Sequence, residues 1–171
     1  MLDTASADIP SLPPAAAIRT GGMLTIRAAR PRDIDGLAAM IVELARDHGD
    51  LAAVTPAELG RDLFGDMPWA QALIAETGGT LIGFALLTPL YRAWQGMRGM
   101  ELNQLYVAPA HRGTGIGRHL VAKAREQARI AGCAYLSVSA ATGNFKAHRF
   151  YESEQFTPGP VTGMRYIQTL A

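Results

Sequence analysis

The sequence predicts a single mixed α/β domain behind an N-terminal tail. Strand-like runs that alternate apolar and polar residues lie between helix-like runs with a repeat of three and four. One strand also leads through a glycine-rich loop directly into a helix, between Glu101 and Ala124. The 171 residues are close to the usual size of one domain, and 49% of them are hydrophobic. We therefore expect residues 1–22 to be a flexible tail and residues 23–171 to be one domain.

Composition and charge argue against several classes of function. Lysine and arginine number 16 against 15 aspartates and glutamates, so the chain lacks the basic excess typical of nucleic-acid binding. No apolar run approaches the ~18 residues that a membrane helix needs, and no residue spacing suggests a metal site. Cys133 is the single cysteine, which favours a cytoplasmic protein without an intrachain disulfide. We expect no nucleic-acid, membrane or metal partner.

The first elements of the domain are a strand and two helices. Alternation predicts a strand from Met23 to Ala28, and an apolar repeat of three and four predicts a helix between Arg30 and Gly49. A threonine cap with a glutamate three residues later predicts a short helix from Thr55 to Phe64.

A hairpin and the central strand follow. Ala70–Glu76 and Thr80–Thr88 have the composition of strands, and the Gly78-Gly79 pair between them is typical of a tight hairpin turn. The sequence predicts a loop from Pro89 to Gly99 and then the central strand, Leu102–Val107.

The second half continues with a helix, a strand and a short helix. The helix starts near Ile116 and ends at Gly132, and the next strand is Ala134–Ala140. Because one helix joins these two strands through short loops, the three elements make a βαβ unit, and its strands should be parallel. A helix is expected at Asn144–Ser153, and Phe156 should open a strand-loop-strand that ends with Met164–Leu170. The expected order is β-α-α-β-β-β-α-β-α-β-β.

The glycine-rich loop predicts a ligand that carries phosphate. Gly113, Gly115 and Gly117 precede a helix N-terminus, where backbone N–H groups are free and the helix dipole is positive. A nucleoside triphosphate loop needs Lys and then Ser or Thr after the last glycine, and Arg118-His119 stand there instead. A dinucleotide site needs GxGxxG and an acid at the end of the next strand. Here the glycine spacing is GxGxG, and that strand ends Ser137-Val138-Ser139-Ala140 without an acid.

A third pattern does fit the loop. Arg112 to Gly117 (RGTGIG) matches (Arg/Gln)-x-x-Gly-x-(Gly/Ala), and Asn144 to Phe156 resembles N-x-x-A-x-x-F-Y-x-x-x-G-F. Together they resemble the acetyl-CoA site of the GNAT superfamily of N-acetyltransferases, and the resemblance runs from Met23 to Leu170. One position departs from the pattern, because Gln155 stands where the family usually has glycine.

The resemblance implies the GNAT acyl-CoA N-acyltransferase fold. In that fold a central mixed sheet, flanked by helices, has two splayed parallel strands, here Leu102–Val107 and Ala134–Ala140, with acetyl-CoA in the cleft between them. The loop amides would hold the pyrophosphate, and the pantetheine arm would pair with the strand backbone. The residues implied for acetyl-CoA are Leu105, Tyr106, Val107, Arg112, Gly113, Thr114, Gly115, Ile116, Gly117, Arg118, Asn144, Lys146 and Phe150.

The same resemblance suggests two catalytic residues. Tyr151 would protonate the departing thiolate, since phenol and thiol have ordinary pKa values of about 10 and 8.5; the alternative is that its ring only packs beside Phe150. Glu101 would take the proton of the amine, or it is an ordinary exposed residue at a strand start. Strand alternation places Glu101, Asn103 and Leu105 on one face, so that Asn103 helps to hold a water relay.

The acceptor is less well defined. Trp94-x-Gly96 before the central strand resembles the diamine acetyltransferase branch, but Asn103 and Gln104 occupy positions where that branch has acids. Tyr91 and Trp94 would form a substrate wall or a contact in a homodimer. Five acids in the helical region either attract a cationic amine or form a solvated face, namely Asp47, Asp50, Glu58, Asp62 and Asp66.

Three functions remain open from the sequence. The first is acetyl transfer from acetyl-CoA to a primary amine of a small molecule, amino-acid-like or polyamine-like, by direct attack on the thioester. The second is acetylation of a protein N-terminus or lysine. The third, of another class, is a non-catalytic sensor that binds acyl-CoA.

Overall fold

The computed structural model describes residues 22–159 and 166–170, which form a five-stranded sheet with helices on both faces. The mixed α/β class predicted from the sequence is confirmed. In chain order the elements are β1 (Thr25–Ala28), α1 (Ile34–His48), α2 (Pro56–Phe64), β2 (Gln71–Thr77), β3 (Thr80–Arg92), β4 (Met97–Val107), α3 (Ile116–Ile130), β5 (Tyr135–Val138) and α4 (Phe145–Ser153).

The sheet has the strand order β1-β2-β3-β4-β5. The first four strands pair antiparallel, and β4 pairs parallel with β5, as the helical crossover between them predicted. The hairpin between β2 and β3 turns at Gly78 and Gly79, whose φ angles of 54° and 79° need glycine.

Two apolar clusters hold the helices to the sheet. On one face α3 inserts Leu120 and Val121, both fully buried, against β2, β3 and β4. On the other face α1 and α2 pack Leu37 and Leu59 against Ile74 of β2 and against β3 and β4. The rigid sheet between these layers fixes the positions of the strand ends, where the site lies.

The predicted loop at 89–99 is wrong, because β3 and β4 form a longer hairpin there. Tyr91 lies opposite Arg98, and a tight turn at Ala93–Gln95 joins the strands. A proline is unusual inside a sheet because its nitrogen cannot donate a hydrogen bond. Pairing with β2 ends at Leu87, so the edge of β3 beyond that point is open and tolerates a proline.

The predicted final strands are absent from the described residues. Neither 156–159 nor 166–170 is in a strand. Phe156 instead belongs to the turn that follows α4: its amide donates to the Tyr151 carbonyl at 3.0 Å, and its ring packs edge-to-face on the Tyr151 ring. The predicted tail up to Gly21, and residues 160–165, lie outside the described residues.

Candidate active site

The parallel strands β4 and β5 separate after a short paired stretch. They pair from Gly99 opposite Tyr135 to Leu102 opposite Val138, and β4 then continues alone to Val107. A cleft of about 1160 Å³, which we call the reaction cleft, opens where they part. Both strand ends, the end of α1 and α4 border it. The splayed strands expected from the family resemblance are therefore present.

A β-bulge at Asn103 changes which side chains share a face of β4. Leu86 pairs with Gln104 and Leu87 pairs with Leu102, so Asn103 is one extra residue in β4. Leu102 and Leu105 consequently both pack on the α3 side of the sheet. The predicted alternation of Glu101, Asn103 and Leu105 on one face is wrong, because simple alternation takes no account of an inserted residue.

The glycine loop has the geometry of an anion site. Gly113 and Gly115 have φ angles of 79° and 88°, which are left-handed. Gly115 caps α3 without any side-chain hydrogen bond, so the first amides of the helix keep no side-chain partner. No acidic residue occurs from Ala108 to Arg125. A pyrophosphate therefore fits the loop both in hydrogen bonding and in charge.

Gly117 serves a different purpose from the other two glycines of the motif. A Cβ atom at this position would lie 3.3 Å from Cζ of Phe150, so a glycine lets the N-terminal turn of α3 approach α4 closely. Phe150, Val107 and the loop border a second cavity next to the reaction cleft. This contact brings the predicted phosphate loop and the helix of Tyr151 together.

Arg112 joins the loop to β4 and α1. Its Nε donates to the Val107 carbonyl at 2.8 Å, and its Nη2 lies 2.5 Å from Oδ2 of Asp47. Its guanidinium also lies 5.7 Å from the ring centroid of Tyr106. The Tyr106 hydroxyl donates to the Glu43 carboxylate, and burial, followed by that contact, raises the pKa of Tyr106 to about 12. Arg112 thus fixes the loop from its outer side.

The roles of Glu43 and Asp47 were missed from the sequence. Asp47 was predicted only as one of five acids near the acceptor, and Glu43 was not singled out. Their spacing of four residues puts both on one face of α1, which was the available signal. Two other acids of that set have structural partners, since Glu58 binds the Thr55 amide at 2.8 Å and Asp62 pairs with Arg61.

Tyr151 borders the reaction cleft from α4. Its ring stands edge-to-face against Phe150 and Phe156, with centroids 5.3 and 5.6 Å away, so it is held in one orientation. Burial raises the pKa of its phenol, which keeps it protonated at neutral pH. Asn144 caps this helix by accepting the Ala147 amide at 3.1 Å.

Glu101 lies where β4 and β5 are still paired, opposite Ser137. Its Oε1 accepts a hydrogen bond from the Ser139 hydroxyl at 3.3 Å, and Ser139 borders the reaction cleft. Asn103 is exposed and borders the cleft as well. The structure therefore brings Asn103 and Tyr151 to one cleft, while Glu101 is not part of the cleft lining and reaches it only through its hydrogen bond with Ser139.

Some residues predicted for the site lie away from the reaction cleft, and for others the predicted role stays a prediction. Tyr91 and Trp94 are exposed at the tip of the β3–β4 hairpin. Tyr91 pairs with Arg98, five residues before Asn103 on β4, so Tyr91 lies about 17 Å from Asn103 along the strand. Lys146 is exposed on α4 and forms no ion pair within residues 22–159 and 166–170. Gln155 adopts a φ of 65°, so a non-glycine residue does occupy the left-handed position at the exit of α4.

Comparison with known proteins agrees with this geometry. Residues 37–155 match the acetyltransferase (GNAT) family. The chain belongs to this family. It is therefore a GNAT-type N-acetyltransferase, as the two motifs predicted. Acetyltransferases of the GNAT family generally use acetyl-CoA, and the uncapped glycine loop fits its pyrophosphate.

Named relatives and solved structures give the range of the family. A thialysine N-epsilon-acetyltransferase of Sus scrofa is 31% identical over 75% of this chain and 81% of its own length. An aminoalkylphosphonate N-acetyltransferase of Salmonella typhimurium is 30% identical over 77% and 83%. The fold is similar to an aminoglycoside acetyltransferase from a soil metagenome, solved with sisomicin, with a TM-score of 0.73, 15% identity and coverage of 85% and 97%. Within residues 22–159 and 166–170, no helix is long and apolar enough to span a membrane.

Proposed function

We propose that this N-acetyltransferase transfers the acetyl group of acetyl-CoA to the primary amine of a small molecule. The reaction cleft is the main support for this function. The open edge of β4 and the side chain of Tyr151 line it, and the glycine loop lies next to it. Two curated relatives are named for small amine substrates, thialysine and aminoalkylphosphonate, which supports a small-molecule acceptor here.

The residues of the cleft divide the work between binding and proton transfer. Acetyl-CoA supplies an activated acetyl thioester. The amides after Gly115 bind its pyrophosphate, and the unpaired edge of β4 from Asn103 to Val107 offers backbone groups to its peptide-like arm.

Proton transfer is assigned to two groups, Glu101 of β4 and Tyr151 of α4. Glu101 accepts the proton of the incoming ammonium through the Ser139 hydroxyl or a water held near Asn103, which leaves a neutral, nucleophilic amine. The amine nitrogen then attacks the thioester carbonyl carbon, the C–S bond breaks, and Tyr151 Oη donates its proton to the departing sulfur. The second proton that the nitrogen loses returns to the Tyr151 phenolate, and burial of this residue favours the protonated phenol before the next turnover.

The test of this function uses the purified full chain with acetyl-CoA and a panel of primary amines. Thiol release and the mass of the acetylated product should rise together for at least one small amine. Turnover with peptides alone would replace the proposal by a protein acetyltransferase. Tight binding of acetyl-CoA without turnover across both panels would favour a sensor.

We further propose that the protein is cytoplasmic and that two copies form a homodimer. The single cysteine, Cys133, supports a reducing compartment. The exposed aromatic rings of Tyr91 and Trp94 support an interface between two copies at the β3–β4 hairpin. Light scattering of the wild type and of Trp94→Ala tests the interface, because the substitution should shift the mass toward that of a monomer.

A further inference from the structure

A third cavity, smaller than the reaction cleft and the cavity at the glycine loop, adjoins the reaction cleft beneath α2. It has a volume of about 430 Å³, and we call it the α2 cavity. Ile41, Val54 and Gln104 border both spaces, so the two adjoin at these three residues. The two cavities are therefore neighbours, and a ligand that occupies both would pass between these three side chains.

The walls of the α2 cavity are mostly apolar. Ile41 of α1 and Leu59 and Leu63 of α2 are buried side chains of the core, and Leu86 of β3 is half-buried beside them. Such a lining favours a hydrocarbon or aromatic body, whose burial contributes about 25 cal/mol per Å² of apolar surface. An apolar lining does not stabilise a charged group of the ligand beyond the amine that reacts in the cleft.

Gln104 is the polar residue among the three that border both the α2 cavity and the reaction cleft. Its Oε1 is buried and has no hydrogen-bond partner among residues 22–159 and 166–170. An unsatisfied buried carbonyl destabilises the protein, and a ligand donor that reaches it removes this cost. The terminal torsion of the side chain is soft, so the carboxamide can present its oxygen to either space.

The charge of the α2 cavity is already balanced. Asp62 is the carboxylate among its lining residues, and both of its oxygens accept hydrogen bonds from Arg61, at 2.7 and 2.9 Å. Thr88, the remaining hydroxyl in the lining, is neutral. The cavity therefore offers a second ammonium group no free carboxylate, while Gln104 offers a neutral acceptor.

From these observations we infer that the α2 cavity is the acceptor subsite and that it selects primary amines with an apolar body and one neutral hydrogen-bond donor, which binds Gln104. This inference rests on the proposed small-molecule function and narrows its substrate class. It disfavours diamines, whose second ammonium would be desolvated without a counter-charge.

The subsite is tested by comparing kcat/KM of the wild-type enzyme for three primary amines. Tyramine and 2-phenylethylamine differ only by a phenolic hydroxyl, and 1,5-diaminopentane carries a second ammonium. One hydrogen bond to a buried acceptor should make kcat/KM about 10-fold higher for tyramine than for 2-phenylethylamine, and 1,5-diaminopentane should be the poorest of the three.

Variants assign the preference to Gln104. Gln104→Leu should abolish the advantage of tyramine over 2-phenylethylamine. Gln104→Glu supplies a counter-charge, so the catalytic efficiency with the diamine should rise about 10-fold relative to that with tyramine. Gln95→Leu makes the same change at an exposed residue of the β3–β4 turn and should leave the preference as in the wild type.

The outcomes separate this inference from the proposed function. Equal kcat/KM for tyramine and 2-phenylethylamine, or a preference for 1,5-diaminopentane in the wild type, would overturn the subsite while acetyl transfer stands. An unchanged preference in Gln104→Leu would do the same. Absence of thiol release with all three amines and with the wider panel would overturn the proposed function itself.

Discussion

Arg118 in the first turn of α3 donates through Nε to Oε1 of Glu154, 2.8 Å away, just beyond the end of α4. The Glu154 side chain is 7% exposed, and Arg125 approaches its other oxygen at 3.9 Å. Arg125 also lies over the ring of Phe156, which packs on Tyr151. A buried carboxylate therefore ties the helix of the phosphate loop to the helix of the candidate general acid.

We expect Glu154→Gln to destabilise the protein, because it removes the charge that two arginines share. A hydrogen bond between charged groups contributes about 1.5–3 kcal/mol, and each kcal/mol moves Tm by about 2–4 °C in a chain of this size. Tm should therefore fall by about 5 °C in a thermal melt. Glu126→Gln is the matched control, since Glu126 pairs with Lys123 on the surface, where such pairs contribute little. Equal shifts in the two variants would contradict the structural role of Glu154.

Gly115→Ala should weaken binding of acetyl-CoA. An alanine at a φ of 88° strains the cap of α3 by about 1–2 kcal/mol and displaces the amides that face the anion. We expect KM for acetyl-CoA to rise by about tenfold, which corresponds to ~1.4 kcal/mol. Gly132→Ala imposes similar strain at a φ of 69° after α3, with no atom near the added Cβ.

The two alanine variants separate folding from binding. Both should lower Tm to a similar extent, and only Gly115→Ala should change KM. If KM rises equally in both, the effect comes from general destabilisation, and the loop is not the pyrophosphate site.

Local patterns predicted most of the fold. The short helix that begins after Thr55, the helix that begins at Ile116 and the glycine hairpin at Gly78 were all found from spacing and capping residues, which act within a few neighbours. The bulge at Asn103 and the continuation of β3 past Pro89 were not found. Both depend on how a strand registers with its partner, and this information is absent from the strand itself.

The residues of the candidate site likewise fall into those that the sequence predicted and those that it did not. The glycine loop and Tyr151 belong to contiguous motifs, so the sequence was enough to nominate them. The pairs Arg112–Asp47 and Arg118–Glu154 join residues 65 and 36 positions apart. Their partners depend on which helices meet in the folded chain, and no short pattern specifies that.

Glu101→Gln tests the general base. Loss of the carboxylate should lower kcat by about 100-fold at pH 7, because the ammonium then has no acceptor for its proton. The deficit should shrink as the pH rises toward ~10.4, the ordinary pKa of an alkylamine, since solvent then supplies the neutral amine. Steady-state rates from pH 7 to 10 measure this, and Glu152→Gln, at an exposed position of α4, serves as the control. A deficit that does not change with pH would leave Glu101 with only a structural role.

Tyr151→Phe tests the general acid. The phenylalanine ring keeps the edge-to-face contacts with Phe150 and Phe156, so Tm should stay unchanged while kcat falls by about 100-fold. Burial raises the pKa of Tyr151 above its ordinary value near 10, and the active form is the protonated phenol. Its loss of activity on deprotonation therefore lies above pH 10, and the wild-type kcat should show no falling limb below that pH. Tyr135→Phe, in β5, should leave kcat unchanged. If Tyr151→Phe has wild-type kcat at pH 7, the ring only packs against its aromatic neighbours, and another group protonates the thiolate.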